Sequence, residues 1–241
     1  FTTLAFDLLC IVGLALVGRR FGGARLAATL AFAWTAYPFT QYVSNSNTND
    51  TIPPALLLFG FVLLTSPFLR GWFGALAGWA KFGALIVAPL WATYPDVRAR
   101  VREKLFFVLG FAAATLAAFS ILLLEPNVAD AARAFWDRTL GWQLGRESPF
   151  SIWDWDQYHA RGVPDLSIPH QVVKAAVVLG ALTAAILPAR KSPLQLAALT
   201  AALIAGFELV LTHWFYLYIP WFLPFAAIAF LYRDRDDVRT A

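Results

Sequence analysis

The stretch WFGALAGWAKFGALIVAPLWAT, Trp72 to Thr93, is long and apolar enough to cross a bilayer, yet it carries Lys81 near its middle and Gly78 just before it. Roughly 20 consecutive apolar residues span a membrane as a helix. An ammonium at the bilayer centre costs a few kcal/mol unless it faces a cavity or a partner. Whether this one stretch crosses decides which side of the membrane every later connector faces.

Seven further apolar runs flank it, at about 2–18, 25–42, 52–68, 105–124, 170–188, 194–213 and 214–232. The basic residues gather in the connectors: Arg19, Arg20 and Arg25, then Arg70, then Arg98, Arg100, Arg102 and Lys104, then Arg190 and Lys191, and finally Arg233, Arg235 and Arg239. If every run crossed, Arg70 and the 98–104 cluster would lie on opposite faces, against the tendency of Lys and Arg to collect in cytoplasmic loops. A Trp72–Thr93 segment broken at Gly78–Lys81 into two half-helices that return to their starting side puts all the basic clusters on one face. The expected fold class is therefore all-α, a polytopic transmembrane helix bundle of about seven spanning helices plus one broken, re-entrant helix pair. Three parts are expected: residues 1–124 as the N-terminal part of the bundle, 125–169 as an extracytoplasmic loop, and 170–241 as C-terminal helices with a short cytoplasmic tail.

Composition agrees with a membrane setting. Hydrophobic residues make up 59% and charged residues 14% of the chain, with a mean hydropathy of +0.61, whereas soluble domains are about 45–50% apolar and about 25% charged. The net charge of +4 is accounted for by the connectors, so no nucleic-acid partner is expected. Cys10 is the single cysteine and has no intrachain disulfide partner. The opening FTTLAFDLL is already inside an apolar run and has no charged n-region, so the chain is expected to lack an upstream part.

The same threading sends the acids outward. Glu125, Asp130, Asp137, Glu147, Asp154, Asp156 and Asp165 all lie in the 125–169 loop. Within it, VADAARAFWDRTLGWQL spaces Val128, Ala132, Phe135, Trp136, Leu140 and Gln143 on one helical face, which predicts an amphipathic helix lying in the membrane interface. The polar island GRESPFSIWDWDQYH follows, and Pro149, Gly162, Pro164 and Pro169 predict irregular backbone there.

Several polar groups interrupt the apolar pattern. SNSNTND, Ser44 to Asp50, precedes Pro53 and Pro54; Asp50 or Thr51 could cap the next helix, but Asn45, Asn47, Asn49 and Asp50 exceed what one cap needs. The other reading is a ladder that hydrogen-bonds sugar hydroxyls or a phosphate's metal, with the Asp50 carboxylate available as a base or ligand. Lys81 either snorkels to the interface or supplies a point charge for a phosphate. Asp7, Glu208 and His213 lie in or beside apolar runs, and an acid in such a run is a functional candidate that can equally well pair with a neighbouring helix. In HWFYLYIPWFLPF, Tyr216 and its aromatic neighbours suit an interfacial belt, whereas Pro220 and Pro224 interrupt the last run, as a groove or a plain kink. No nucleotide fingerprint, cofactor motif or metal-ligand spacing is present in the sequence.

Three stretches then carry a family resemblance: SNTNDTIPPALLLFGFVLL at a helix start, GALAGWAKFGALIVAPL as the broken lysine-bearing segment, and FWDRTLGWQLGRESPFSIWDWDQ in the loop. With YLYIPWFLPF near the C-terminus, the chain resembles the GT-C type of polytopic glycosyltransferase, nearest glycosyltransferase family 87, the polyprenyl-phosphate-mannose-dependent α-1,2-mannosyltransferases. The resemblance implies an integral protein of the bacterial plasma membrane with its active face extracytoplasmic. A polyprenyl-phosphate-linked sugar would be the donor and a lipid or glycan the acceptor, with the lipid bilayer as the setting and no cofactor. It further implies that the family's usual base lies in a first outer loop upstream of Phe1. Asp50 matches the place of a second acid, with Glu208 and His213 as further catalytic candidates. Lys81, Arg138 and Arg146 are the candidates for the donor phosphate. Asn47, Asn49, Gln143, Trp153, Asp154, Asp156 and Tyr216 are the candidates for sugar or acceptor. The alternatives are a membrane transporter or flippase, suggested by the broken helix and Glu208, and a non-catalytic polytopic subunit whose loop only binds a partner.

Overall fold

The computed structural model describes residues 1–142, 151–153 and 164–232, and the described residues form helices, helical turns and connectors without strands. Helix α1 (Thr2–Ala36) is broken at Gly23, whose φ of 78° and ψ of −165° are not helical. A straight helix of its 35 residues would be about 52 Å long. Instead Trp34 donates its indole N–H to Asp7 at 2.7 Å, and a Cβ on Gly18 would lie 2.4 Å from the Ala27 backbone. The two halves therefore run back along each other, as the separate runs 2–18 and 25–42 predict. Gly23 supplies a turn conformation that side chains rarely adopt, and Gly18 lets the two backbones touch.

Short elements follow. Helix α2 (Pro38–Asn45) leads through 46–51 into α3 (Ile52–Val62), and α4 (Pro67–Ala80) starts beyond a Ser66 cap that accepts from Leu69 N. At Lys81 the chain takes extended backbone, then a 3-10 turn (Phe82–Val87) and α5 (Ala88–Ala92) carry it back. The return is seen directly, because Arg70 near the start of α4 donates to the carbonyl of Tyr94 just past α5 at 2.7 Å. The break predicted at Lys81 is present, and the two ends of the segment meet.

Helix α6 (Val101–Phe119), extended by a 3-10 turn to Leu124, packs against α4. Gly71 and Gly110 make that approach possible, since a Cβ on Gly110 would sit 1.9 Å from the Phe68 carbonyl oxygen. Helix α7 (Val128–Trp136) runs into a π turn (Asp137–Gly141). Helices α8 (Ser167–Ile186), α9 (Pro193–Leu209) and α10 (Leu223–Leu231) complete the order. The helices neighbour one another in the order α6, α4, α3, α1, α10, α9 and α8, a ring left open between α8 and α6, with the returning 82–92 segment packed against α4, α9 and α8. Trp91 of that segment fills the middle, its ring edge-on to Phe225 at 6.2 Å and its indole N–H on Thr200 at 3.0 Å.

Among the described residues three apolar helical segments are long enough to cross a membrane, Thr2–Ala36, Val101–Leu124 and Ser167–Ile186, the first of them folded on itself at Gly23. Leu109 and Leu116 of α6 and Val172, Val178 and Leu182 of α8 are exposed on their outer faces, as in a protein whose surroundings are apolar. Two expected runs are shorter than predicted. The 52–68 run is helical only over 11 residues, and 214–232 reduces to a 3-10 turn (Ile219–Trp221) and the 9-residue α10. Nine residues rise about 14 Å, under half of a hydrocarbon core of about 30 Å. Pro220 and Pro224 cannot donate into a continuous helix, so 210–222 forms an irregular link instead.

Candidate functional site

Polar side chains collect at two opposite ends of the ring. One end holds the basic connectors, where Arg70 (2% exposed) donates to the Leu64 and Tyr94 carbonyls and stacks on the Tyr94 ring at 5.3 Å. Arg70 is thus no connector charge; it lies within α4 and ties the ends of α3 and α5 together. Arg20 donates to the Val62 carbonyl nearby. Asp96 accepts from Arg190 at 2.8 Å, and Lys191 donates to the carbonyls of Ala185 and Pro188.

The other end is built by SNSNTND. Thr51 occupies the cap position of α3, but its side chain makes no cap bond and donates to the Thr3 carbonyl at 3.3 Å. Asp50 does not cap either. Its Oδ1 pairs with Lys81 Nζ at 3.3 Å and accepts from the Trp221 indole N–H at 3.2 Å, while Lys81 lies 5.8 Å from the centre of the Trp221 ring. Lys81 can reach this pair because the chain leaves helical geometry at its own residue. Asp50 is 3% exposed, and the Lys81 side chain keeps 27% of its surface accessible, so a ligand approaching the pair meets the ammonium before the carboxylate.

Glu208, in the last turn of α9, is 4% exposed. The Trp214 side chain hydrogen-bonds its carboxylate, and the Asp50 charge acts on it. Its Oε1 has no hydrogen-bond partner among the described residues. A buried carboxyl oxygen left open beside an ion pair is unusual, because such atoms are costly unless something satisfies them. His213 lies in the irregular link and packs edge-on to Tyr218 at 6.4 Å.

The remaining candidates separate. Asn47, with φ at 52°, accepts from the Thr3 hydroxyl at 3.1 Å and faces solvent, as does Asn49. Tyr216 packs on Phe39 and Tyr42 of α2, with ring centres 6.1 and 5.8 Å away. Arg138 is exposed on the π turn, and among the described residues no ion pair joins it to Asp50. Trp153 anchors the end of α9: its indole N–H donates to the Leu209 carbonyl at 2.7 Å and its ring stacks on His170 at 4.6 Å. Ser151 bonds Leu211 O and His170 bonds Val210 O, so together these three residues satisfy the carbonyls that end α9. Gln143, Arg146, Asp154 and Asp156 lie outside the described residues. Trp221 is the partner that sequence reasoning missed, hidden in an aromatic run whose composition suits an interface. Among the described residues no group of three His, Cys, Asp or Glu side chains could hold a metal ion.

Compared with known proteins, the chain matches no family model, no curated protein and no solved structure.

Proposed function

We propose that the chain forms the helical membrane part of a glycosyltransferase that moves a sugar such as mannose from a polyprenyl-phosphate donor to a lipid or glycan acceptor. Its setting would be the bacterial plasma membrane, with the active face extracytoplasmic and seven spans around the re-entrant 72–93 pair. The observation that carries the reading is the Asp50–Lys81–Trp221 cluster, at the break of the returning segment, with the open oxygen of Glu208 alongside.

In the proposed transfer, the acceptor oxygen bonds the anomeric carbon as the bond from that carbon to the phosphate oxygen breaks. The hydroxyl proton passes to a carboxylate, and polyprenyl phosphate leaves. Lys81 stabilises the charge developing on the departing phosphate, and Asp50 with Trp221 fixes where its ammonium points. Glu208, whose Oε1 is buried without a hydrogen-bond partner among the described residues, is the candidate to receive that proton once a hydroxyl enters. Arg146, outside the described residues, is the outer loop's candidate for the same phosphate.

The test uses the full-length protein in native membranes and a labelled polyprenyl-phosphate mannose. Lys81→Gln is expected to lower transfer about 100-fold, as loss of a transition-state donor does, with Asp50→Asn, Glu208→Gln and Arg146→Ala also impaired and all four variants still membrane-inserted. Normal transfer by inserted Lys81→Gln and Arg146→Ala proteins would overturn the assignment.

A transporter or flippase is the second reading, favoured by depth. The 14 residues of α4 rise about 21 Å from the basic end to Lys81, less than the thickness of a hydrocarbon core of about 30 Å. A broken helix with a charged pair at that depth is a common transport-site arrangement. Movement of intact sugar-lipid across vesicles without transfer of its sugar would select it.

A further inference from the structure

A second polar recess lies at the same end of the ring, between the two halves of α1 and α2, and among the described residues its lining includes neither Asp50 nor Lys81. It is a cavity of about 300 Å³ lined by Asp7, Trp34, Thr35 and Thr40 with Gln41, Ser44 and Asn45. We propose that this cavity binds a neutral polyhydroxylated ligand, the sugar of an acceptor.

Its bonding leaves a definite set of groups over. Trp34 donates to Asp7 Oδ1 at 2.7 Å. Thr40 is spent on the carbonyls of Trp34 and Tyr37, and Gln41 Nε2 on the Thr35 carbonyl at 2.8 Å. What remains without a bond among the described residues is Asp7 Oδ2, Gln41 Oε1, the Asn45 amide and Ser44 Oγ, the last an atom sealed from solvent. No cation pairs with Asp7 among the described residues. A carboxylate oxygen and an amide oxygen accept, an amide nitrogen donates and a hydroxyl does either. Vicinal hydroxyls, each a donor and an acceptor, satisfy such a mixed set. A phosphate would meet the carboxylate as a like charge, and a small cation would leave the amide donor unmet. An alkyl chain would strand every polar group. The volume is at the small end for ligand sites, which suits one sugar unit.

The geometry also accounts for the length of the polar segment before α3. Ser44 and Asn45 face this cavity, Asn47 is held by Thr3, and Asp50 by Lys81. One stretch of seven residues, Ser44 to Asp50, therefore walls the cavity at its start and carries the ion pair at its end. A sugar held at Asp7 lies on the same connector as the proposed transfer site, so its role as acceptor rests on the glycosyltransferase reading. Binding itself does not.

The test reads binding without any donor. The full chain in detergent micelles carries as a reporter Thr35→Cys, at a lining residue whose hydroxyl is spent on the Phe32 carbonyl; native Cys10 is buried. Labelling of the introduced thiol by a polar maleimide is followed with methyl α-mannoside, with methyl α-glucoside, with choline chloride and with inorganic phosphate. Sugar-dependent slowing, weakened at least tenfold in concentration by a further Asp7→Asn change and unaltered by Lys81→Gln, is the expected result. Asp7→Asn keeps an acceptor for Trp34, and an unchanged melting temperature certifies the fold. Slowing by choline or phosphate instead, equal slowing with Asp7→Asn, or no slowing by either sugar would overturn the proposal. Loss of sugar transfer in Lys81→Gln with this protection intact would leave the cavity standing, and protection without any transfer by the unaltered protein would remove the glycosyltransferase reading alone.

Discussion

The two polar ends of the ring hold similar residue types and treat them in opposite ways. At the basic end each buried cation ends on backbone oxygen: Arg70 on Leu64 and Tyr94, Lys191 on Ala185 and Pro188. At the other end Lys81 meets a carboxylate and an aromatic face, and Glu208 and Ser44 keep oxygens with no partner among the described residues. Cations spent on carbonyls close loops, and of the Arg70 guanidinium only Nε, sealed from solvent, is left without a partner among the described residues. An accessible ammonium held by a buried acid, beside open oxygens, is costly to fold around and is what a binding site requires.

The comparison can be broken most directly at Lys81. Removing one member of a buried pair leaves the other charge stranded, an effect of about 3–5 kcal/mol where burial is complete. Asp50 is the more buried partner, so Lys81→Gln is expected to lower thermal stability in detergent more than Asp50→Asn, and the double variant to recover part of the loss. Equal losses in the two single variants, or no recovery, would mean that the pair is not coupled as its geometry implies.

Arg70→Met tests the other end. Each stranded carbonyl costs roughly 1–3 kcal/mol, offset in part because a buried charge is also removed, so a net loss of about 2 kcal/mol is expected. If the basic end is structural, the loss appears as a lower melting temperature with binding at the Asp7 cavity unchanged in every molecule that stays folded. A smaller effect, about 1 kcal/mol, is expected for Trp153→Phe, which keeps the stack on His170 and deletes one hydrogen bond to Leu209. Hydrogen exchange at the 210–222 link should rise in that variant, and an unchanged rate would remove Trp153 from its anchoring role.

Some of this is legible along the chain and some is not. The break at Lys81 and the fold-back near Gly23 show, because a charge or a Gly-Arg cluster inside an apolar run has few other physical solutions. The shortening of the last run is half visible: Pro220 and Pro224 announce a break, but composition does not show that only nine residues remain helical. Asp50 reads as cap or base, and nothing near it names Trp221, 171 residues away. Trp153 reads as a sugar platform because a loop that pairs tryptophans with acids can bind sugars. Its hold on the end of α9 depends on carbonyls 56 and more residues further on, which no local pattern encodes. Asp7 stands out as an acid in an apolar run, whereas its pairing with Trp34 follows only once the hairpin is known.

The smallest expected effect concerns the clasp between the two basic connectors. The carboxyl of Asp96 is held below the usual carboxylate range, first by the Arg98 backbone N–H and then by the Arg190 side chain. A carboxyl whose value falls on folding contributes stability above its unfolded value, and the contribution is lost as pH falls through the folded one. The melting temperature should therefore decline more steeply on acidification from pH 5 downward, about a unit above an ordinary aspartate, in the unaltered protein than in Asp96→Asn, with the two curves converging at the acid end. Asp96 is partly buried but its partner Arg190 is solvent-exposed, and the difference is small, so raised salt should shrink the Arg190 part and spare the backbone part. A salt-insensitive gap would assign the clasp to the Arg98 N–H alone, and parallel curves would show that Asp96 does not hold the connectors together.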